Sequence, residues 1–191
     1  MNKLLFLVIF LLFPANILAN DIIFTEIMYN PSGTESGHEW IEIYNSRDSI
    51  VDLEGWTLWE QGTDKSIIGD NYKIGPGEFA VIADDKTKFL FDHPEYKGIL
   101  FQSSWRYLSN SGEEIGIKDR RGVLIDSILY SGDADDGYSI SLDLLHNVWE
   151  ESDETPGYND DINQAVPEFN TIGYIISVLG AVLIFRKKLN P

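Results

Sequence analysis

Four acidic side chains have the types and spacing best suited to chemistry: Glu26, Glu42, Asp133 and Asp135. Glu42 sits in GHEWIEIYN (37–45) and Glu26 opens EIMYNP (26–31). In extended chain, alternation puts Glu42 between Trp40 and Tyr44 on one face, and Glu26 between Phe24 and Met28. If those strands pair, two carboxylates meet, and a cation would relieve their repulsion. Glu39 falls on the opposite face from Glu42, so one strand alone does not supply the pair. Asp133 and Asp135 belong to SGDADDG (131–137), where alternating aspartates and glycines can wrap calcium. That loop lacks the D-x-[DN]-x-[DN]-G spacing and the closing glutamate of an EF-hand. No cofactor is expected; the ion this acidic set would take, if it takes one, is calcium, which needs roughly six to eight oxygens. The same groups also read as strand-edge carboxylates bonded to turn amides and as a solvated loop.

Other chemistries find less material. His38, His93 and His146 lack the H-x-x-x-H spacing of a zinc site, and cysteine is absent, so no thiolate site or disulfide framework forms. There is no G-x-S-x-G elbow for a Ser/His/Asp triad, and no glycine-rich phosphate loop between a strand and a helix. No catalytic residue is therefore expected. The alternative reading is a metal-dependent hydrolase or nuclease-associated surface protein using the acidic site. The formal net charge is −17. Between Asn20 and Ala165 there are 30 acidic and 10 basic residues, once Glu168, Lys3, Arg186, Lys187 and Lys188 are set aside. That balance excludes the basic footprint of a nucleic-acid binder and favours solubility, cations or a basic partner.

The elements that must hold these residues are short strands. Residues 21–30 alternate, with Ile23, Thr25, Ile27 and Tyr29 on one face and Ile22, Phe24, Glu26 and Met28 on the other. Further strands are predicted over 39–44, 56–59, 79–83 and 114–118. The last of these pairs with 123–130 as a hairpin across 119–122, and 138–142 is expected as the final strand. Residues 87–91 allow one turn of helix. Turn signals about every ten residues predict an all-β, immunoglobulin-like sandwich over 20–159. Most of the five tryptophans belong in its core. Trp59 and Trp105, beside polar loops, would otherwise suit a glycan or protein partner.

The ends read as targeting segments. Residues 1–19 carry Lys3 and an apolar run over 4–13, the pattern of a signal peptide. Residues 160–169 form an acidic linker ending in Pro167-Glu168-Phe169. An apolar run over 170–185 reads as a transmembrane helix, and the basic tail 186–191 places that end in the cytoplasm. The domain is then exported and membrane-attached at the cell surface.

Two resemblances rest on these residues. The stretch from Ile22 to about Asn159 resembles the lamin tail domain family. The matching runs are Glu26–Pro31, Glu39–Asn45, Asp52–Leu58 and Thr155-Pro156-Gly157. That resemblance implies an immunoglobulin-like sandwich, a binding or structural role, and no shared catalysis. The tail resembles the PEF-type C-terminal sorting signals of archaea, which implies an archaeosortase-like processing enzyme as partner.

Overall fold

The computed structural model describes residues 20–159, apart from 106 and 145, together with 162. The expected signal peptide, transmembrane helix and basic tail lie outside the described residues. Among the described residues, no helix is long and apolar enough to cross a membrane.

Twelve strands and one short helix make up the domain. They are β1 (Ile22–Met28), β2 (Trp40–Asn45), β3 (Val51–Asp52), β4 (Thr57–Glu60), β5 (Thr63–Ser66), β6 (Lys73–Ile74), β7 (Phe79–Ala83), α1 (Lys86–Asp92), β8 (Ile99–Gln102), β9 (Glu114–Lys118), β10 (Leu124–Leu129), β11 (Ser139–Asp143) and β12 (Val148–Ser152). One sheet runs β12-β11-β1-β2-β7-β8 and the other β10-β9-β4-β5, with β3-β6 as a small third ladder. All pairs are antiparallel except β7 with β8, which α1 joins as a crossover. The two sheets enclose one core. Ile22, Phe24, Ile27, Ile41, Ile43, Ala80, Ile82 and Ile140 enter it from one side, and Leu58, Ile115, Ile117 and Ile128 from the other. The predicted sandwich and the β9–β10 hairpin are both present.

Local chemistry sets the turns. Gln61 and Gly62, at φ 44° and 82°, close the two-residue β4–β5 hairpin, a conformation that glycine adopts without steric cost. At the β9–β10 turn, Asp119 accepts from the backbone N–H of Arg121 (2.8 Å) and Val123 (2.9 Å). Asp85 caps α1 by accepting from the N–H groups of Thr87 and Lys88.

The structure departs from strict alternation at Thr25. The β1–β2 register shifts between Phe24 and Glu26, so a bulge inserts one residue. Ile22 and Phe24 face the core before the bulge, and Ile27 and Tyr29 after it. Phe24 therefore does not flank Glu26, which lies on the outer face with Ile23 and Met28. β11 is not the last strand: β12, with only Val148 and Trp149 as apolar residues, continues the sheet beyond it.

The central strands β1 and β2 are buried on both faces. Phe89 of α1 covers Met28, Trp40, Val81 and Ala83 at one end of the outer face. At the other end, Ile162 packs on Ile23 and Tyr44, with Phe79, Leu142 and Leu144 around it. Ile162 falls in the stretch read as linker, yet it is buried. An Ile162→Ala substitution should therefore cost about 2 kcal/mol or more in urea unfolding, as a buried isoleucine does and a linker residue does not. A change within about 0.5 kcal/mol would place Ile162 outside the folded unit.

Candidate functional site

Glu26 and Glu42 are direct partners across the β1–β2 ladder. The two carboxylates thus meet on the outer face, midway between the apolar groups around Phe89 and Ile162. Both are fully buried. Their oxygens are taken by neutral donors. Ser139 Oγ donates to Glu26 at 2.6 Å, and Thr155 donates through its N–H at 3.0 Å and its hydroxyl at 2.9 Å. Thr25 Oγ1 donates to Glu42 at 2.7 Å, and the Gly157 N–H binds its other oxygen. The bulge that breaks the alternation is what brings Thr25 to Glu42.

Two further glutamates do the same work at the sandwich end where β1 finishes. Glu39 accepts from Trp105 Nε1 at 2.5 Å and from the Leu108 N–H at 2.9 Å. Glu113 accepts from the Ser109 N–H (2.7 Å), the Tyr130 hydroxyl (3.2 Å) and Gln61 Nε2 (2.7 Å). Each ties a strand end to the 103–112 loop. Trp105 is thereby a core residue. Trp59 lies half-buried, with Lys118 Nζ 5.4 Å from its ring centroid.

Burial pushes the carboxyls of Glu26 and Glu39 up to about 7 and that of Glu42 up to about 8. The hydrogen bonds pull each back down in part, and the Glu26 charge pushes Glu42 further up. Deprotonated, the pair would hold two charges away from water with no cation alongside.

Asp133 and Asp135 lie elsewhere, exposed on the 131–137 loop. Backbone contacts order that loop. The Ala134 N–H donates to the Tyr29 hydroxyl (2.6 Å), the Asp135 N–H to Glu151 (2.7 Å), and the Gly137 N–H to the Asn30 carbonyl (2.9 Å). A Cβ on Gly132 would come within 2.4 Å of the Asn110 carbonyl, so the 131–137 and 109–112 loops touch through backbone. The four acidic residues singled out in the sequence thus divide between a buried pair and an exposed loop. Among the described residues, no three His, Asp or Glu side chains converge as metal ligands would.

The structure joins two histidines that the sequence spaces far apart. His38 and His93 line one cleft of about 410 Å³ with Met28, Pro31, Ser32, Thr34, Asp92 and Glu154. His38 Nδ1 meets Asp92 at 2.5 Å, and His93 Nε2 meets Glu154 at 3.0 Å. Among the described residues, no serine hydroxyl completes a hydrogen-bonded relay with His38. The fastening roles of Glu39, Glu113 and Thr155 were missed in the sequence. The signal for them was a glutamate inside an apolar strand, which must find donors once buried.

An all-β sandwich whose buried acids fasten backbone, and whose loops gather at its ends, belongs to the class of binding or structural modules. A family model for the Lamin Tail Domain matches residues 17–132, and the chain belongs to that family. The family is one of β-sandwich binding and structural domains. The match takes in β1 to β10 and stops before β11, β12 and the segment that Glu26 and Glu42 hold. A search of the curated proteins finds no match.

Ionisation of the buried carboxyls sets a pH dependence. Each has a higher pKa folded than its ordinary 4.5, so the folded state binds the proton more tightly. The stability they contribute is complete below about 4.5 and is lost as pH rises through about 7 to 8. Urea unfolding of the purified protein should show stability falling over that interval, with Glu39→Gln reducing the fall. A profile that rises over the same interval contradicts the assignment.

Proposed function

We propose that this chain is an exported, membrane-attached binding or structural module of the cell surface. It would bind through the loops at the end of the sandwich away from its anchor. The observation that carries this reading is where the chain enters and leaves. Asn20 and Asp21 bond to Ser46, just past the end of β2, and Ile162 packs on Tyr44 beside them. Entry and exit thus share one end of the sandwich. Loops 30–38, 84–85, 103–112 and 131–137 interlock at the other, through Asn110 to Asn30 and Glu35 and through Asp84 to Glu39. With the apolar run 170–185 in a bilayer, those loops point outward.

The resemblance of 167–188 to a PEF-type sorting signal supports attachment through that run, or through processing by an archaeosortase-like enzyme. The partner is a protein or glycan of the envelope. The acidic surface favours one that is neutral or basic and does not favour nucleic acid. Calcium bracing of the exposed loop at Asp133 and Asp135 is a further part of the proposal.

Protease added to intact cells should remove the domain, and full protection contradicts the outward orientation. Millimolar calcium should raise the melting temperature if the 131–137 loop holds the ion, since a ligand of the native state alone must stabilise it. No shift removes calcium from the proposal.

A further inference from the structure

The segment 153–159 crosses the outer face of the six-stranded sheet without being a strand of it. Several contacts fasten it. Thr155 binds Glu26 twice, Gly157 binds Glu42, and Glu154 meets His93 at the end of α1. Asn159 Nδ2 donates to Ser141 Oγ and to the Leu142 carbonyl, both at 3.3 Å. Gly157, at φ 90°, fits against the Tyr96 ring, where a Cβ would come within 3.2 Å of Cε2. Open clefts flank the segment. One is lined by Ser141, Asp143, Glu150 and Tyr158, another by His38 and His93, and a third by Pro94 and Tyr96 beside Pro156.

We propose that 153–159 is a proton-linked strap. It closes over the Glu26–Glu42 pair while the pair retains a proton, and it lifts from the sheet when both carboxyls ionise.

The geometry supplies the reason. The charged and titratable groups around the pair are Glu154 from the strap, His93 behind Glu154, and Tyr96 against Glu42. The remaining contacts are the neutral hydroxyls of Thr25, Ser139 and Thr155. Among the described residues, no lysine or arginine forms an ion pair with either carboxylate. A doubly ionised pair under the strap has only dipoles to balance it, whereas lifting the strap admits water to both carboxylates. The strap's own N–H and O–H donors favour ionisation, but burial outweighs them in both residues, as the raised values show. The closed form therefore holds protons more tightly, and opening must become easier as pH rises. For each proton released, the opening equilibrium shifts about tenfold per pH unit. On the attachment proposed above, opening would add about seven residues, ~20 Å of chain, to the tether.

Amide hydrogen exchange on the full-length protein in detergent tests this, because exchange reports local opening segment by segment. After correction for the intrinsic rate, the 153–159 amides should lose protection as pH rises from about 6 to about 8, about tenfold per pH unit for each proton released. Amides of β2 and β7 should stay better protected than the strap at every pH in that range. In Glu42→Gln the strap's profile should flatten. The wild-type series decides even if that variant folds poorly. Strap protection that does not change with pH overturns the proposal. So does protection that is equal in strap and sheet at each pH, which would be global unfolding. So does a His93→Gln variant that alone abolishes the dependence, since the histidine bridge would then be the sensor. None of these outcomes depends on how the tail is anchored.

Discussion

Glu26 and Glu42 oppose each other at the centre of the larger sheet, and much of the remaining architecture follows from having to satisfy them. A buried carboxylate without donors costs several kcal/mol in practice. Both strands are otherwise apolar, so the donors must come from outside the ladder. They come from three places: the bulge residue Thr25, Ser139 on β11, and the backbone after β12. Each requirement fixes a piece of topology. The bulge turns Thr25 toward Glu42, β11 must lie beside β1, and the chain must return across the outer face. A domain ending at β10 would leave Glu26 without Ser139 and Thr155, and Glu42 with Thr25 but without Gly157.

The chain has no disulfide to close it. Where many small domains use covalent staples, this one uses buried-acid hydrogen bonds that join residues far apart in sequence. Glu26 binds Thr155, Glu42 binds Gly157, and Glu39 binds Trp105 and Leu108. Removing one partner of such a contact exposes the full desolvation penalty of the other, so these contacts specify register as well as contributing stability. The same design leaves buried acids that no base neutralises among the described residues, on a chain that is already strongly negative. Their pKa values rise because burial opposes the charge faster than neutral dipoles can restore it.

How far the sequence discloses this depends on whether a residue's neighbours are local. Ile41 and Ile43 are inward as alternation predicts, and the β9–β10 hairpin follows from its turn. β5, with the sequence TDKS, has no apolar residue and exists because the Gln61-Gly62 turn folds it onto β4. β12 is a polar edge strand stabilised by pairing with β11, and pairing leaves no periodic signal. The bulge at Thr25 reversed half of β1 because one inserted residue inverts a period of two. For the site, the meeting of Glu26 with Glu42 was legible as a consequence of pairing. The donors were not, since Thr155 and Gly157 lie more than a hundred residues away. His38 and His93 come together only through α1, whose seven residues carry too short a pattern to fix their geometry.

The two ends of the sandwich divide the labour for a physical reason. At the end where the chain enters and leaves, apolar side chains dominate: Ile23, Tyr44, Phe79, Leu142 and Ile162 pack together and tie the terminal segments to the sheet. At the other end the loops are held by hydrogen bonds that backbone amides donate to Glu39, Glu113 and Tyr29. Backbone fastening frees the loop side chains from packing, so they can vary without unfolding the core. Asp133 and Asp135 illustrate this, being exposed on a loop whose shape is set by the amides of Ala134, Asp135 and Gly137. A surface built in that way is rigid in backbone and unconstrained in side chain, which limits the ordering cost when a partner binds. The loop end is thus fastened through backbone and the end where the chain enters and leaves through apolar packing. The buried acid pair lies between them, under residues 154–157.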